Sequence, residues 1–189
     1  MCNETPEDTD PERVIDLPRP VGAGLPDIIA PGLRVLFCGI NPGKAAAAAG
    51  HHFVGRGNRF WRVLHDAGFT PNRIDPTHDR ALLLHGCGLT TAVARPTARA
   101  DQLSAREFFE AKAALIGKLE AFGPRYIAFL GKAAFSAMKK QTQVDWGLQP
   151  DPLGGALVWV LPNPSGLNRS FSLEDLVGAY GALRAAAWP

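Results

Sequence analysis

Val35-Leu36-Phe37-Cys38-Gly39-Ile40-Asn41-Pro42-Gly43 is an apolar run that stops abruptly in Asn-Pro-Gly. A short run without polar alternation, ended by turn residues, predicts a strand buried on both faces. Such a strand delivers one polar side chain, Asn41, to its C-terminal end. In open α/β sheets, ligands bind in the crevice beyond that edge. Pro42 fixes its own backbone angle and biases Asn41 to an extended conformation, while Gly43 permits a close turn. A second stretch of the same character lies far downstream, Leu161-Pro162-Asn163-Pro164-Ser165-Gly166-Leu167-Asn168-Arg169. Two rigid strand-end loops, each carrying Asn-Pro, are therefore expected at one rim.

Outward from these loops, strands alternate with helices. Arg34–Ile40 is the first strand. Asn58 can cap a helix to about Ala67, with Phe60, Val63, Leu64 and Ala67 forming its buried stripe and Arg59, Arg62 and Asp66 facing outward. A shorter helix around His78–His85 precedes Cys87–Thr91, a strand end or loop, and an irregular Arg95-Pro96-Thr97 segment. Ser104–Phe122 reads as a long amphipathic helix ended by Gly123-Pro124. Tyr126–Leu130 is a strand closed by Gly131-Lys132, and a helix follows over about Ala133–Lys140. Ala156–Leu161 is the last strand, and Ser172 or its neighbour caps a helix over Leu173–Ala186. The alternation predicts an α/β fold, a parallel sheet between helical layers. The alanine run Ala45–Ala49 is the only low-complexity patch; its small side chains would let a ligand approach the backbone.

The 189 residues fit one domain able to fold unaided, and 46% apolar with 20% charged residues is ordinary for a globular protein. No apolar segment reaches membrane-spanning length, and the acidic start lacks the order of a signal peptide, so no membrane partner is expected. Cys2, Cys38 and Cys87 are odd in number and widely spaced. They suit a reducing, cytoplasmic setting and exclude a disulfide framework, a cysteine metal knuckle and a four-thiolate cluster. The net charge of +2 hides an asymmetry. Met1 to Asp27 carries seven acids and two bases, −5, leaving +7 on the remainder. Residues 1–30 are expected to be an acidic, Pro-rich flexible segment and 31–189 a single domain. A basic body fits either a nucleic-acid binder or an ordinary solvated surface.

Asn41 is neutral, with one acceptor and one amide donor group. It can orient water but cannot remove a proton, and a true general base would be worth ~10²–10⁴-fold in rate. Asn41 therefore points to slow chemistry or to binding alone. Phe53, in Gly50-His51-His52-Phe53-Val54-Gly55-Arg56-Gly57-Asn58-Arg59-Phe60-Trp61, lies off any helical stripe. It is either a core aromatic or a stacking platform for a flat ligand, where base–aromatic contacts contribute ~1–3 kcal/mol. His51 and His52 are adjacent, point in different directions and lack a third ligand at a suitable spacing, so no metal is expected. Ser165 follows Pro164 and lacks the G-x-S-x-G elbow of a hydrolase nucleophile. Neither a phosphate loop nor a complete G-x-G-x-x-G fingerprint is present.

Taken together and in order, Gly39-Ile40-Asn41-Pro42-Gly43, Gly50-His51-His52-Phe53 leading to Asn58-Arg59-Phe60-Trp61, and Asn163-Pro164-Ser165-Gly166-Leu167-Asn168-Arg169 resemble the motifs of mismatch-specific uracil/thymine-DNA glycosylases, a branch of the uracil-DNA glycosylase superfamily. The resemblance spans about Arg34 to Leu183, with Arg95-Pro96-Thr97 and the Gly131-Lys132 turn also in place. It implies a three-layer α-β-α sandwich around a mainly parallel sheet of about four to five strands.

It also implies hydrolysis of the N-glycosidic bond of a pyrimidine flipped from opposite guanine, leaving an abasic site. Asn41 would position the water where faster superfamily members use an aspartate. Asn163 stands where other branches place a histidine that stabilises the leaving base. Amides near Ile40 and Gly43 would stabilise the departing anion. Phe53 would stack on the base, with His52 and Ala46 also against the substrate. Leu167 would fill the gap in the duplex, and Gly166 and Asn168 would read the orphaned guanine, partly through backbone groups. Ser165 would belong to the same DNA-binding wedge loop, and Arg169 would hold the loop on the DNA. Lys44 could add a phosphate contact.

Bacterial members of this branch often carry serine where this chain has Ala46, which predicts room for thymine. Asn168 replaces a serine frequent in the wedge motif. The implied enzyme is a monomer without cofactor or metal, acting on double-stranded DNA in the cytoplasm, on the nucleoid if bacterial. Abasic-site repair enzymes would follow it. The alternatives are an inactive relative that binds mismatches and a nucleoside or nucleotide hydrolase on the same fold.

Overall fold

The computed structural model describes residues 25–189. Five strands form one sheet: β1 (Val35–Gly39), β2 (Cys87–Thr91), β3 (Tyr126–Leu130), β4 (Gly147–Leu148) and β5 (Leu157–Leu161). Their spatial order is β2-β1-β3-β5-β4, with every neighbour parallel except the short edge strand β4. The helices are α1 (Lys44–Ala49), α2 (Phe60–Asp66), α3 (Ala105–Phe122), α4 (Lys132–Lys139) and α5 (Leu173–Ala187), with 3₁₀ segments at Pro76–His85 and Ala100–Gln102.

Alternating side chains of each strand enter opposite layers. Val35 and Phe37 of β1, with Ala128 and Leu130 of β3, pack against Phe60 and Leu64 of α2 and Leu176 and Tyr180 of α5. Leu36 and Cys38, with Ile127 and Phe129, pack against Leu115 and Leu119 of α3 and Phe135 and Met138 of α4. Both faces of the sheet are covered, as the unbroken apolar character of β1 requires. The result is the expected three-layer α-β-α sandwich. No helix among the described residues is long and apolar enough to cross a membrane.

Several elements differ in detail from the sequence expectation. Ala45–Ala49 is helical, because alanine has the highest helix propensity and Gly50 in the left-handed region closes the turn. Cys87–Thr91 is a full strand paired along β1. β4, only two residues long, has no periodicity to detect. The fold also begins before residue 31. Ile28 is buried and bridges Leu89, while Asp27 accepts from the Thr90 hydroxyl and pairs with Lys118. Most of the expected N-terminal segment, residues 1–24, lies outside the described residues.

Candidate active site

The sheet order reverses direction on either side of β1, so the crevice between the ends of β1 and β3 is its topological switch point. A cavity of about 400 Å³ opens there. Asn41 and Phe53 line it from one side, Asn163 and Leu167 from the other. Gly131, at the end of β3, keeps the middle open. Its φ of 110° favours glycine, and a Cβ there would touch the Asn163 Cβ at 3.6 Å and Ile40 Cδ1 at 3.7 Å.

Asn41 is half-buried, and its orientation is dictated by what surrounds it. Nδ2 donates to the Arg95 carbonyl and the Thr97 hydroxyl, both at 2.8 Å, and to the Pro42 carbonyl at 3.2 Å. A backbone carbonyl only accepts, so the nitrogen must occupy that corner. Thr97 passes the polarity on by donating to the Arg99 carbonyl at 2.8 Å. Oδ1 accepts from no donor among the described residues. The segment holding Asn41 is itself laced to the first loop, through Thr97 N–H to the Pro42 carbonyl and Lys44 N–H to the Thr97 carbonyl.

Asn163 is fixed in the opposite sense. Its Oδ1 accepts from Ser165 N–H at 2.8 Å, leaving Nδ2 as the amide end without an acceptor among the described residues. The base of this loop is held by the buried Tyr180 hydroxyl, which donates to the Pro162 carbonyl. Its tip is held by Arg59. That guanidinium donates to the carbonyls of Phe171 at 2.7 Å, Asn168 at 2.8 Å and Ser165 at 3.2 Å. The expectation that Arg59 faces outward is thus corrected: the carbonyls of Phe171 and Asn168, otherwise unpaired, and that of Ser165, which also accepts from Asn168 N–H, draw it in, whereas Arg62 and Asp66 do stay exposed as an ion pair. Gly166 must be glycine, since a Cβ there would stand 2.6 Å from the Gly57 carbonyl oxygen. The Gly55-Arg56-Gly57-Asn58 turn and the second loop therefore pack backbone to backbone.

Phe53 adopts a left-handed φ of 55°, a conformation that costs a non-glycine residue ~1–3 kcal/mol. Its ring stacks on Phe60 at 4.0 Å, and Phe60 packs edge-on against Phe37 in the core. Several contacts hold this strained loop. The buried Asp79 accepts from His52 N–H at 2.8 Å and meets His51 Nδ1 at 3.4 Å, and Trp61 Nε1 donates to the His52 carbonyl. The buried His52 ring donates through Nε2 to the Pro26 carbonyl at 2.8 Å, and burial pushes its pKa below the usual histidine range. Neutral His52 lines the cavity with Ile40, Gly43 and the buried Ala46.

Ser165 and Asn168 also line the cavity. Asn168, however, has both side-chain ends and both backbone groups engaged within its own loop and by Arg59. Leu167 is 80% exposed, the most exposed of the large apolar side chains described. Gly166, Arg169 and Lys44 are exposed and outside the lining. Among the described residues no three His, Cys, Asp or Glu side chains cluster as a metal site would require. Sequence reasoning missed Arg59 and Asp79. Only the dense packing of Gly-Arg-Gly-Asn-Arg beside an Asn-Pro loop hints at the first, and nothing local signals the second.

A mainly parallel sheet with a pocket at its switch point and an apolar residue standing free at the mouth is the arrangement in which α/β folds bind ligands. The family model of the Uracil DNA glycosylase superfamily matches residues 26–184, and the chain belongs to that superfamily. At the family level it is a DNA glycosylase, a hydrolase of N-glycosyl bonds with DNA as substrate. A solution NMR structure from Methanosarcina acetivorans, of a protein named only provisionally as a uracil DNA glycosylase, is similar at a TM-score of 0.58. Identity is 20%, over 85% of this chain and 97% of that one. That likeness bears on the fold.

Proposed function

We propose that the chain is a monofunctional glycosylase that removes uracil, and thymine or related modified pyrimidines, from opposite guanine in double-stranded DNA, leaving an abasic site for base excision repair. The observation that carries this reading is the pair of carboxamides fixed in opposite senses around one cavity. Asn41 offers an acceptor for a water proton, and Asn163 offers a donor for a pyrimidine carbonyl oxygen. Water attacks the sugar C1′ as the C1′–N1 bond breaks, and the pyrimidine leaves with the bonding electrons. Nδ2 of Asn163 and the amides of Asn41 and Gly43 then face the anion. Those two amides donate to no acceptor among the described residues. Neither carboxamide can take up a proton, so the water proton passes to solvent or to the departed base, and the chemistry is slow.

Phe53 stacks on the flipped base, braced from behind by Phe60. Leu167 enters the stack in its place, and a mispair lowers the cost of extrusion. With the side chain and carbonyl of Asn168 committed to the loop, contact with the orphaned guanine falls mainly to the loop backbone near Gly166. Lys44 and Arg169 meet phosphates. The protein works as a cytoplasmic monomer, on the nucleoid if its source is bacterial, without metal or nucleotide cofactor. The test is a long single-turnover incubation on a G·U duplex followed by alkaline strand cleavage. Cleavage at the uracil supports the reading. Salt-sensitive duplex binding without cleavage points to the inactive mismatch-binding relative. Activity on free nucleosides without duplex binding points to the nucleoside hydrolase.

A further inference from the structure

The carbonyl that holds Asn41 belongs to a residue anchored well away from the cavity. Arg95 Nε donates to Glu107 Oε1 at 2.7 Å, and its Nη2 donates to the Gln102 carbonyl at 3.1 Å. Glu107 is the third residue of α3. Its other oxygen, Oε2, accepts from the Ser104 backbone N–H at 2.9 Å and from the Ser104 hydroxyl at 3.0 Å. One carboxylate thus closes the capping box of α3 and grips Arg95 at once. Between Arg95 and Thr97, which both accept from Asn41, stands Pro96, which restricts the backbone of Arg95 and removes a hinge from the segment. The Gln102 side chain fixes the far end, its Oε1 accepting from Ala98 N–H at 3.0 Å and Arg99 N–H at 3.1 Å.

We infer that Glu107 and Arg95 are positioning residues for Asn41: the start of α3 sets where the Arg95 carbonyl stands, and so which end of the Asn41 carboxamide faces the cavity. The inference rests on the reading of Asn41 as the water-holding group. The Arg95 side chain is 52% exposed and that of Glu107 28%, so the pair adds little to the stability of the fold. What it does supply is direction, because the two shortest hydrogen bonds of Asn41 Nδ2 last only as long as residues 95–97 keep their place. The Arg95 guanidinium and the Ser104 amide hold the Glu107 carboxyl down to about 2, so the ion pair persists at any working pH.

The test uses the full chain and a G·U duplex with enzyme in excess. Glu107→Ala is expected to lower the single-turnover rate about fivefold, the ratio an exposed ion pair can impose, with affinity for an abasic-site duplex unchanged. Glu107→Gln keeps an acceptor for Arg95 and the capping box, and restores most of the rate. Ser104→Ala weakens the same helix start without touching Arg95 and leaves the rate unchanged. The Asn41 side-chain amide resonances should shift in Glu107→Ala and not in Ser104→Ala. Unchanged rate and resonances in Glu107→Ala overturn the inference, as does an equal loss of rate in Ser104→Ala. If the unmodified chain cleaves no duplex, the functional reading fails while the resonances still decide whether Glu107 positions Asn41.

Discussion

Asn41 and Asn163 turn opposite ends of the same functional group toward one cavity, the first its carbonyl oxygen and the second its amide nitrogen. Each is forced by a backbone partner of fixed polarity, the Arg95 carbonyl in one case and the Ser165 N–H in the other. Neither carboxamide can flip without facing like against like. Removing the side chain in Asn41→Ala should abolish base excision while leaving duplex affinity nearly intact, measured by gel shift beside single-turnover cleavage. Lost affinity would instead make Asn41 a residue of the fold.

Asn41→Asp sets two effects against each other. A carboxylate gains the power to take the water proton, worth ~10²–10⁴-fold. It also places an oxygen where Nδ2 now meets the exposed Arg95 carbonyl at 2.8 Å, and losing that hydrogen bond costs ~0.5–1.5 kcal/mol, a factor of about 2–13. The general base wins, so a net rise of about tenfold in single-turnover rate is expected. A rate below that of the unmodified chain would mean that Asn41 does not hold the attacking water.

Arg59 ties the second loop to the start of α2 through three carbonyls. Hydrogen bonds from a charged donor contribute ~1.5–3 kcal/mol each, and truncation strands several acceptors at once. Arg59→Ala should therefore cost about 2–4 kcal/mol and lower Tm by roughly 5–12 °C, read by calorimetry. Arg59→Lys should rescue little, because one ammonium cannot span three carbonyls in a fork. Base excision should fall in both variants as the loop loses its place.

Much of this architecture was legible in the residues. The apolar run into Asn41 and its counterpart into Asn163 located both loops, and helix ends followed from Ser104 and Ser172 with their side-chain caps and from Gly123, which closes α3 in the left-handed region. What escaped was the direction of long polar side chains. Arg59 occupies a helix start where spacing alone puts it in solvent, and only the carbonyls of a loop more than a hundred residues away pull it inward. Asp79 sits in a 3₁₀ segment with weak amphipathic pattern, and its partners are backbone amide and imidazole groups brought by the fold. The helical state of Ala45–Ala49 was hidden by its brevity between Gly43 and Gly50, where the run reads only as a low-complexity patch.

His52 carries a pH dependence whose sign follows from burial. Its pKa in the folded state lies below the unfolded value of about 6.5, so above that pH both states are neutral and it contributes no slope. As pH falls below about 6.5 the unfolded chain takes up a proton that the folded chain resists, and stability declines by up to ~1.4 kcal/mol per pH unit. His52→Gln should flatten the fall in Tm between pH 7 and pH 5, at some constant cost from the altered bond to the Pro26 carbonyl. An unchanged slope would assign the dependence to other groups.

Ala46 is buried in the cavity wall, and its methyl is the smallest side chain that could stand there apart from hydrogen. On the proposed reading, a serine would add a hydroxyl next to the pyrimidine. Discrimination by one methyl-sized group is worth ~1–3 kcal/mol. Ala46→Ser should therefore reduce excision of thymine from G·T duplexes about tenfold more than excision of uracil from G·U duplexes, compared as single-turnover rates. Equal losses would place Ala46 away from the pyrimidine C5 position.

Leu167 is apolar yet 80% exposed on a loop held rigid from behind by Arg59, Gly57 and Tyr180. An exposed leucine contributes almost nothing to the fold, so Leu167→Ala should leave Tm within about 1 °C. On the proposed reading, the same truncation removes the group that fills the gap left by the extruded nucleotide, and unstacking costs a few kcal/mol. Excision from a G·U duplex is expected to drop about tenfold, whereas excision from single-stranded DNA carrying uracil, where no gap needs filling, should hardly change. Comparing the two substrates in one series separates a wedge from a general contact: a parallel loss on both would show that Leu167 binds DNA without taking the place of a base.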